Sequence, residues 1–169
     1  MRVTIRRIRA DEGRLLMQIR LTALLDAPYA FASSYAESVQ RPMDAWGERA
    51  ARAAAGNREA VFVAEEPRDW LGMVGAYTPR DTSVRHAYGL WVDRSVRRQG
   101  LARALMDTVV EWATAAGAAA VTLWVAGSNE PAVALYRQLG FDETGDTQPM
   151  PSNDTVTEHL FRRSLDEGR

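Results

Sequence analysis

The sequence contains no cysteine and no lysine, and it contains only two histidines. Without cysteine the chain has no disulfide framework, no thiolate nucleophile and no zinc–thiolate site. Without lysine it lacks the Gly-Lys-Ser or Gly-Lys-Thr sequence with which a P-loop binds phosphate. The two histidines, His86 and His159, lie far apart in the sequence, so we expect no metal centre.

Charge and hydropathy exclude two further classes of partner. The formal net charge is −1, which creates no general attraction to nucleic acid or to an anionic membrane. No apolar run reaches the length of a membrane span, and residues 1–9 alternate apolar and basic residues where a signal peptide would be apolar. We therefore expect a cytoplasmic protein. Its 169 residues fit a single domain with one core.

The hydrophobic periodicity predicts a mixed α/β domain with the order β-α-α-β-β-β-α-β-α-β-β. We expect the first helix to begin at an Asp11 cap and to end at Pro28. The aromatic-rich segment 27–37 has no clean period and predicts a loop or a short helix. The further elements are expected at helix 44–55, strands 60–64, 70–77 and 84–92, helix 101–116, strand 119–125, helix 130–139, strand 141–146, a loop at 148–154 and strand 155–164.

The segment from Leu90 to Leu105 carries the strongest functional signal. An apolar strand pattern ends in a polar turn, and a helix with one apolar face follows. The first N–H groups of a helix have no partner inside it, and a glycine and two arginines at this point favour a bound phosphate. The segment therefore predicts a pyrophosphate-binding turn, called here the 97–103 turn. Its residues are Arg97, Arg98, Gln99, Gly100, Leu101, Ala102 and Arg103.

Two motifs in order resemble those of the GNAT family of N-acetyltransferases. Arg97-x-x-Gly100-x-Ala102 after an apolar strand resembles the acyl-coenzyme A signature of that family. It lacks the three glycines of a dinucleotide-binding fingerprint. The later segment, Asn129-x-x-Ala132-x-x-x-Tyr136-x-x-x-Gly-Phe, follows a strand and is similar to a second family motif. The resemblance covers residues 61–165.

The resemblance implies a fold and a way to hold the donor. The fold is a mixed, mostly antiparallel central sheet with helices on both faces and a V-shaped splay between strands 84–92 and 119–125. In that gap the pantetheine arm of acetyl-CoA pairs with the backbone around Leu90, Trp91 and Val92, as an added strand would. The single domain then divides into acceptor-side helices (1–57), an acyl-CoA-binding core (60–117) and C-terminal strand–helix–strands (119–165).

The implied activity is transfer of an acetyl group from acetyl-CoA to a primary amine by direct attack on the thioester. A small-molecule amine is the first expectation for the acceptor, and the N-terminus of a protein is the alternative. A non-catalytic acyl-CoA sensor has the same donor site, and a nucleotide-binding protein would use the same anion pocket. Members of the family often form dimers, so a homodimer through the last strand or helix 44–55 is expected.

Tyr136 is the first candidate for the chemistry. On helix 130–139 the spacing places Asn129, Ala132 and Tyr136 on one face. The resemblance places Tyr136 beside the coenzyme sulfur, where its hydroxyl protonates the departing thiolate. The alternative is that Tyr136 only packs the helix against the sheet. Asn129 is also a suitable helix cap, which is compatible with contact to the donor.

Three residues are candidates for the general base. Strand alternation places His86 on one face with Tyr88, Leu90 and Val92, and an imidazole accepts a proton near neutral pH. Glu37, in the aromatic segment that matches the acceptor-binding part of the family in layout, is the rival, and His159 is the third. Proximity alone supplies much acceleration, so an enzyme without a dedicated base is also compatible with the sequence.

Overall fold

The computed structural model describes residues 2–166 and is built around a seven-stranded sheet with the strand order β1-β2-β3-β4-β5-β7-β6. Among the strands of residues 2–166, only β4 and β5 run parallel, and every other neighbouring pair is antiparallel. The mostly antiparallel sheet is therefore confirmed. The strands are β1 Thr4–Arg7, β2 Glu59–Glu66, β3 Asp69–Tyr77, β4 Val84–Val92, β5 Ala120–Ala126, β6 Asp142–Met150 and β7 Asn153–Ser164.

Helices cover both faces of the sheet and enclose two apolar clusters. On one face, Leu16 and Trp46 from the first and third helices pack with Val63 and Met73 of the sheet. On the other face, the fourth helix buries residues such as Leu105 against the sheet. No helix in residues 2–166 combines the length and apolar character that a membrane crossing requires. The helices are α1 Gly13–Asp26, α2 Tyr35–Val39, α3 Met43–Ala53, α4 Leu101–Ala115 and α5 Glu130–Gln138, with 3-10 turns at Pro28–Ala30 and Arg94–Val96.

The parallel strands β4 and β5 separate soon after they meet. They pair only where Val84–His86 lies beside Ala120–Thr122. Beyond His86 the edge of β4 that faces β5 has no strand partner, so its backbone groups are available to a ligand. The predicted V-shaped splay is confirmed.

A bulge at Gly89 reverses the alternation of β4, so the prediction of one shared face was wrong. Across β3, Met73 pairs with Trp91 but Gly75 pairs with Tyr88, which leaves one extra residue in β4. Gly89 has a φ of +68°, which favours glycine. As a result Tyr88 faces α3, and Leu90 and Val92 pack in the cluster under α4.

The predicted loop at 148–154 is mostly strand. β6 extends to Met150 and β7 begins at Asn153, so two residues connect the hairpin. Pro149 predicted a loop because proline has no N–H to donate to a neighbouring strand. β6 is the outermost strand of the sheet, where this missing donor is tolerated.

Helix α1 begins one residue later than an Asp11 cap would place it. Glu12 occupies the N-cap position, and its carboxylate accepts hydrogen bonds from Arg6 at 2.7 and 2.9 Å. At the first helical position, Gly13 lies against α3, and a Cβ there would be 2.7 Å from the Cα of Gly47. The apolar face of the alanine-rich helix α3 is thus covered by α1 within the chain.

The close crossing of α1 and α3 generates a matched pair of variants. Gly13→Ala should lower the free energy of unfolding by about 1–3 kcal/mol, because the added methyl group overlaps backbone atoms. Gly47→Ala meets nothing within 4 Å and should raise that free energy by about 0.5–1 kcal/mol, as alanine does within a helix. Urea unfolding measures both. Equal effects of the two substitutions on the free energy of unfolding would contradict the close contact between Gly13 and α3.

Candidate active site

The 97–103 turn presents free backbone donors to solvent. Gly100 is the N-cap of α4 with a φ of +81°, and no side chain caps this helix. The first bond of the helix runs from the Ala104 N–H to the Gly100 carbonyl at 3.0 Å. The N–H groups of residues 101–103 therefore lack an acceptor among the described residues. A Cβ at Gly100 would meet nothing within 4 Å, so the approach to these donors is open.

The two arginines of the turn have different surroundings. Arg97 donates to the Val92 carbonyl at 2.9 Å and to the Asp26 carboxylate at 2.5 Å. Asp26 also accepts from the Trp91 indole at 2.9 Å, and this bond, together with its arginine partners, lowers the pKa of the Asp26 carboxyl. Arg98 is exposed and makes no side-chain hydrogen bond within residues 2–166. Arg97 thus fixes the turn, whereas the guanidinium of Arg98 is available to an anion.

The side chain of Trp91 lies away from the predicted donor site. Its ring packs in the apolar cluster under α1 and α3, and its N–H is bound to Asp26. Of Trp91, only the backbone is left for the contact with the donor that the sequence predicts. The alternation explains this position, because Leu90 and Val92 point to the opposite face.

A narrow space, called here the cleft cavity, follows the splay between β4 and β5. It brings Leu90 of β4 together with Asn129, Ala132 and Tyr136 of the second motif, as the sequence predicts. The side chain of Asn129 also accepts a hydrogen bond from the Ala132 N–H at 3.3 Å, so it caps α5. Further lining residues are Ala30, Val74, Ala87, Tyr88, Gly89, Met106, Leu123, Trp124, Val125, Ala126, Met150 and Glu158.

Tyr136 lines the cleft cavity, and its hydroxyl is protonated. Its ring contacts Phe141 edge to face, with 6.0 Å between the ring centres. Burial raises the pKa of Tyr136 to about 12, so the phenol keeps its proton at neutral pH. Its hydroxyl has no hydrogen-bond partner in the described part of the chain, which leaves it available to a group in the cavity.

A second space, called here the aromatic cavity, opens on the face covered by α1 and α3. Its volume is about 430 Å³. Six residues line both cavities, so the two spaces meet at the splay; they are Ala30, Ala87, Tyr88, Gly89, Trp124 and Glu158. The other lining residues of the aromatic cavity are Arg20, Phe31, Ala32, Tyr77, His86, Gln148 and Pro151.

Glu158 is a candidate site residue that the sequence reasoning missed. It is only 4% exposed, lies opposite Ala126 of β5, and accepts a hydrogen bond from the Gln148 amide at 2.6 Å. Because it lines both cavities, its carboxylate lies where an acceptor and a donor would meet. A signal was present: Glu158 alternates with Val156 and Leu160, so an acid interrupts a partly buried face of β7.

His86 lines the aromatic cavity as an uncharged residue. It is 9% exposed, and its Nδ1 lies 2.9 Å from the Thr122 hydroxyl oxygen. Burial lowers the pKa of His86 to about 4, so the imidazole is neutral at pH 7 and is a weak base. The structure therefore brings His86 to the site but gives it poor basicity.

The other two candidate bases lie outside both cavities. Glu37 is exposed on α2, where its backbone N–H donates to the Ser34 hydroxyl at 3.1 Å. His159 lies on the opposite face of β7 from Glu158, with its Nδ1 3.9 Å from a carboxylate oxygen of Glu143. Within residues 2–166, no cluster of three or more histidine, aspartate or glutamate side chains is arranged to hold a metal ion.

Several solved acetyltransferases share this arrangement of strands and helices. A GNAT-family acetyltransferase from Streptococcus pneumoniae superimposes with a TM-score of 0.82 at 17% identity, covering 97% of this chain and 99% of the other. The putative acetyltransferase yncA of Salmonella typhimurium, solved with its cofactor acetyl-CoA, gives 0.77 at 19% identity and covers 100% and 97%. At these identities the likeness establishes the fold.

Curated relatives match part of the chain. Human N-acetyltransferase 8 is 39% identical over 88 residues, which are 50% of this chain and 39% of that protein. The ribosomal protein bS18-alanine N-acetyltransferase of Escherichia coli K12 is 41% identical over 56 residues, or 33% and 38%. The matches thus span about two fifths of each relative. The model of the acetyltransferase (GNAT) family matches residues 21–141, and the chain therefore belongs to the GNAT family.

Proposed function

We propose that this protein is an acetyl-CoA-dependent N-acetyltransferase that acts on a primary amine. One observation carries the proposal: the splay between β4 and β5 joins a free helix N-terminus to a cavity that contains a buried carboxylate. The first feature suits a phosphate-bearing donor and the second suits an amine acceptor. Membership of the GNAT family supports the same activity.

The donor is proposed to bind largely through backbone groups. Its pyrophosphate accepts hydrogen bonds from the N–H groups of residues 101–103, while Arg98 supplies charge. A Cβ at Gly100 would meet nothing within 4 Å, so the pyrophosphate has open access to these N–H groups. The amides of the pantetheine arm pair with the unpartnered edge of β4 near Leu90 and Val92.

The reaction follows from groups that face the two cavities. Glu158 takes one proton from the ammonium of the acceptor, directly or through a water molecule, and the neutral nitrogen attacks the thioester carbon. The carbon–sulfur bond then breaks, the thiolate receives a proton from the Tyr136 hydroxyl, and the second proton lost by the nitrogen restores that hydroxyl. A pKa near 12 makes Tyr136 a weaker acid than a free thiol, but the same desolvation raises the proton affinity of the thiolate. Amide product and free thiol result.

The acceptor is proposed to be a small-molecule amine. The aromatic cavity has a volume of about 430 Å³, which lies within the range of small-ligand sites. Residues 1–57 supply its outer wall through Arg20 and Phe31, in agreement with an acceptor-side role for this part of the chain. A protein N-terminus is the second candidate, because one relative is named for acetylating a ribosomal protein. Homodimer formation stays a prediction.

The donor site is tested by thermal unfolding with acetyl-CoA. At ~100 times its Kd the ligand stabilises the folded state by about 2.7 kcal/mol, which raises the Tm by roughly 5–10 °C. Gly100→Glu should abolish this rise, because the added carboxylate blocks and repels the pyrophosphate. Gly117→Glu is the matched control, since Gly117 lies at the other end of α4 with a φ of +79° and open space. A rise that persists in Gly100→Glu, or one that ATP reproduces, would contradict the donor site.

The chemical roles are tested by thiol release with an acceptor found in an amine screen. Tyr136→Phe and Glu158→Gln should each lower kcat by about 100-fold, the usual contribution of a general acid or base. The Tm rise with acetyl-CoA should remain. Tyr29→Phe and Glu37→Gln remove the same groups from exposed positions outside both cavities and should leave kcat unchanged. Unchanged turnover in Tyr136→Phe or Glu158→Gln would disprove that residue's role.

The state of His86 is tested by stability as a function of pH. The folded-state pKa of about 4 lies below the ordinary value of 6.5, so the unfolded chain takes up this proton first as the pH falls. Stability should decline between pH 6.5 and 4 by on the order of 3 kcal/mol from this residue. His86→Gln should remove that part of the decline, and His159→Gln should retain it. Identical pH curves for His86→Gln and the unmodified protein would show that His86 is not a buried neutral base.

A further inference from the structure

Arg20 of α1 is a buried cation without an anionic partner. Its exposed fraction is 7%, and no carboxylate in the described part of the chain lies within 4.0 Å of it. A guanidinium has five N–H donors, yet the structure shows one hydrogen bond, from Nη2 to the Ser33 hydroxyl at 3.0 Å. Buried arginines are normally paired, because an unpaired buried charge loses its hydration without compensation. Arg20 therefore has N–H donors that no group in the described part of the chain accepts from, and these are available to a ligand.

The surroundings of Arg20 add positive charge instead of neutralising it. Its guanidinium lies over the ring of Phe31 at 4.6 Å, while Arg49 lies over Trp46 and donates to the Tyr88 hydroxyl at 2.8 Å. Arg41 lies over the same indole. None of these three arginines forms an ion pair within residues 2–166. Burial, followed by the charges of Arg49 and Arg41, lowers the pKa of Arg20 to about 10, so it stays charged at neutral pH.

Arg20 also lies beside the point where the two cavities meet. It lines the aromatic cavity, and its Nη1 is 2.6 Å from the position that a Cβ on Gly89 would occupy. Gly89 is the bulged residue of β4 that faces both cavities. Glu158, the proposed base, lines the same two spaces. A cation and an anion thus face one small cavity from opposite elements, α1 and β7.

We propose that Arg20 binds the carboxylate of the acceptor and that the acceptor is an α-amino acid. A planar guanidinium forms two parallel hydrogen bonds with a carboxylate, and Arg20 has the free donors to do so. An α-amino acid separates its carboxylate and its ammonium by a single carbon, which suits a cavity where a cation and a carboxylate face each other. The inference rests on the proposed acetyltransferase function and names the substrate class of that site.

Every proton of the transfer has a destination. Glu158 accepts one proton of the ammonium, the nitrogen–carbonyl bond forms and the carbon–sulfur bond breaks. The sulfur takes the Tyr136 proton, the second proton lost by the nitrogen returns to the Tyr136 phenolate, and Glu158 releases its proton to water, giving an N-acetyl amino acid and free coenzyme A. Arg20 holds the carboxylate throughout and takes no part in the proton transfers, so it is a specificity residue and not an acid or base.

The first experiment compares the common α-amino acids with their amides and with the corresponding decarboxylated amines, by thiol release in the presence of acetyl-CoA. At least one amino acid should exceed its own amide in kcat/KM by about 100-fold or more, because the amide leaves the buried guanidinium unpaired. Amides or decarboxylated amines that react as well as every amino acid would overturn the inference, as would a preference for peptide N-termini over free amino acids.

The second experiment uses Arg20→Met with Arg14→Met as its matched control. Arg14 lies on the same helix but is exposed and outside both cavities. Arg20→Met should abolish the preference for the amino acid over its amide and should raise the Tm of the free protein, because an unpaired buried charge is removed. Arg14→Met should change neither. A retained preference in Arg20→Met, or a large fall in its Tm, would show that Arg20 has a structural role only.

A binding measurement separates this inference from the proposed function. The Tm rise with acetyl-CoA should be the same in Arg20→Met and in the unmodified protein, since Arg20 lies outside the 97–103 turn. With coenzyme A bound, the preferred amino acid should raise the Tm further, and Arg20→Met should lose only this second rise. If the unmodified protein shows the Tm rise with the amino acid but no turnover, the proposed catalysis would be overturned and carboxylate binding would stay supported. Absence of the second rise for all amino acids would overturn the inference itself.

Discussion

The left-handed conformation of Gly89 determines which residues of β4 reach each half of the site. One extra residue at this point turns Tyr88 towards α3 and Leu90 towards α4. Without the bulge both side chains would point to the same face, since alternation along a strand has a period of two. Any side chain at Gly89 would also meet the Arg20 guanidinium at 2.6 Å. The proposed donor and acceptor halves of the site therefore depend on one glycine.

The proposed donor half is built from backbone groups and not from the arginine side chains that indicate it in the sequence. Arg97 is held by Asp26 and by the Val92 carbonyl, which ties the end of α1 to the end of β4. Its charge is largely satisfied before any ligand arrives. The free N–H groups at the start of α4 carry no full charge, because their positive potential comes from unpaired peptide dipoles. They therefore need no counter-ion in the free protein. The motif thus combines one structural arginine with one exposed arginine, Arg98.

Local patterns predicted most of the fold and where the residues of the proposed donor half would lie. The start of α4 follows from the local pattern, whereas the splay and the position of Tyr136 on the cleft follow from the resemblance of the two motifs to those of the GNAT family. Long-range pairing was not predictable in the same way. The Gly89 bulge depends on the register with β3, and Glu158 reaches the cavities only because β7 inserts between β5 and β6. The strand at Pro149 depends likewise on β6 being outermost.

The acceptor half illustrates why residues without a motif can decide specificity. An apolar residue at Arg20 would pack without any loss of hydration, so a buried guanidinium there reduces the stability of the free protein. In the proposed complex the carboxylate of the acceptor would remove that penalty, whereas a neutral amine of the same size would leave it in place. Selectivity would then arise chiefly from the rejection of ligands that leave Arg20 unpaired, and only in part from attraction. On this proposal the cavity would distinguish an amino acid from its amide with few direct contacts.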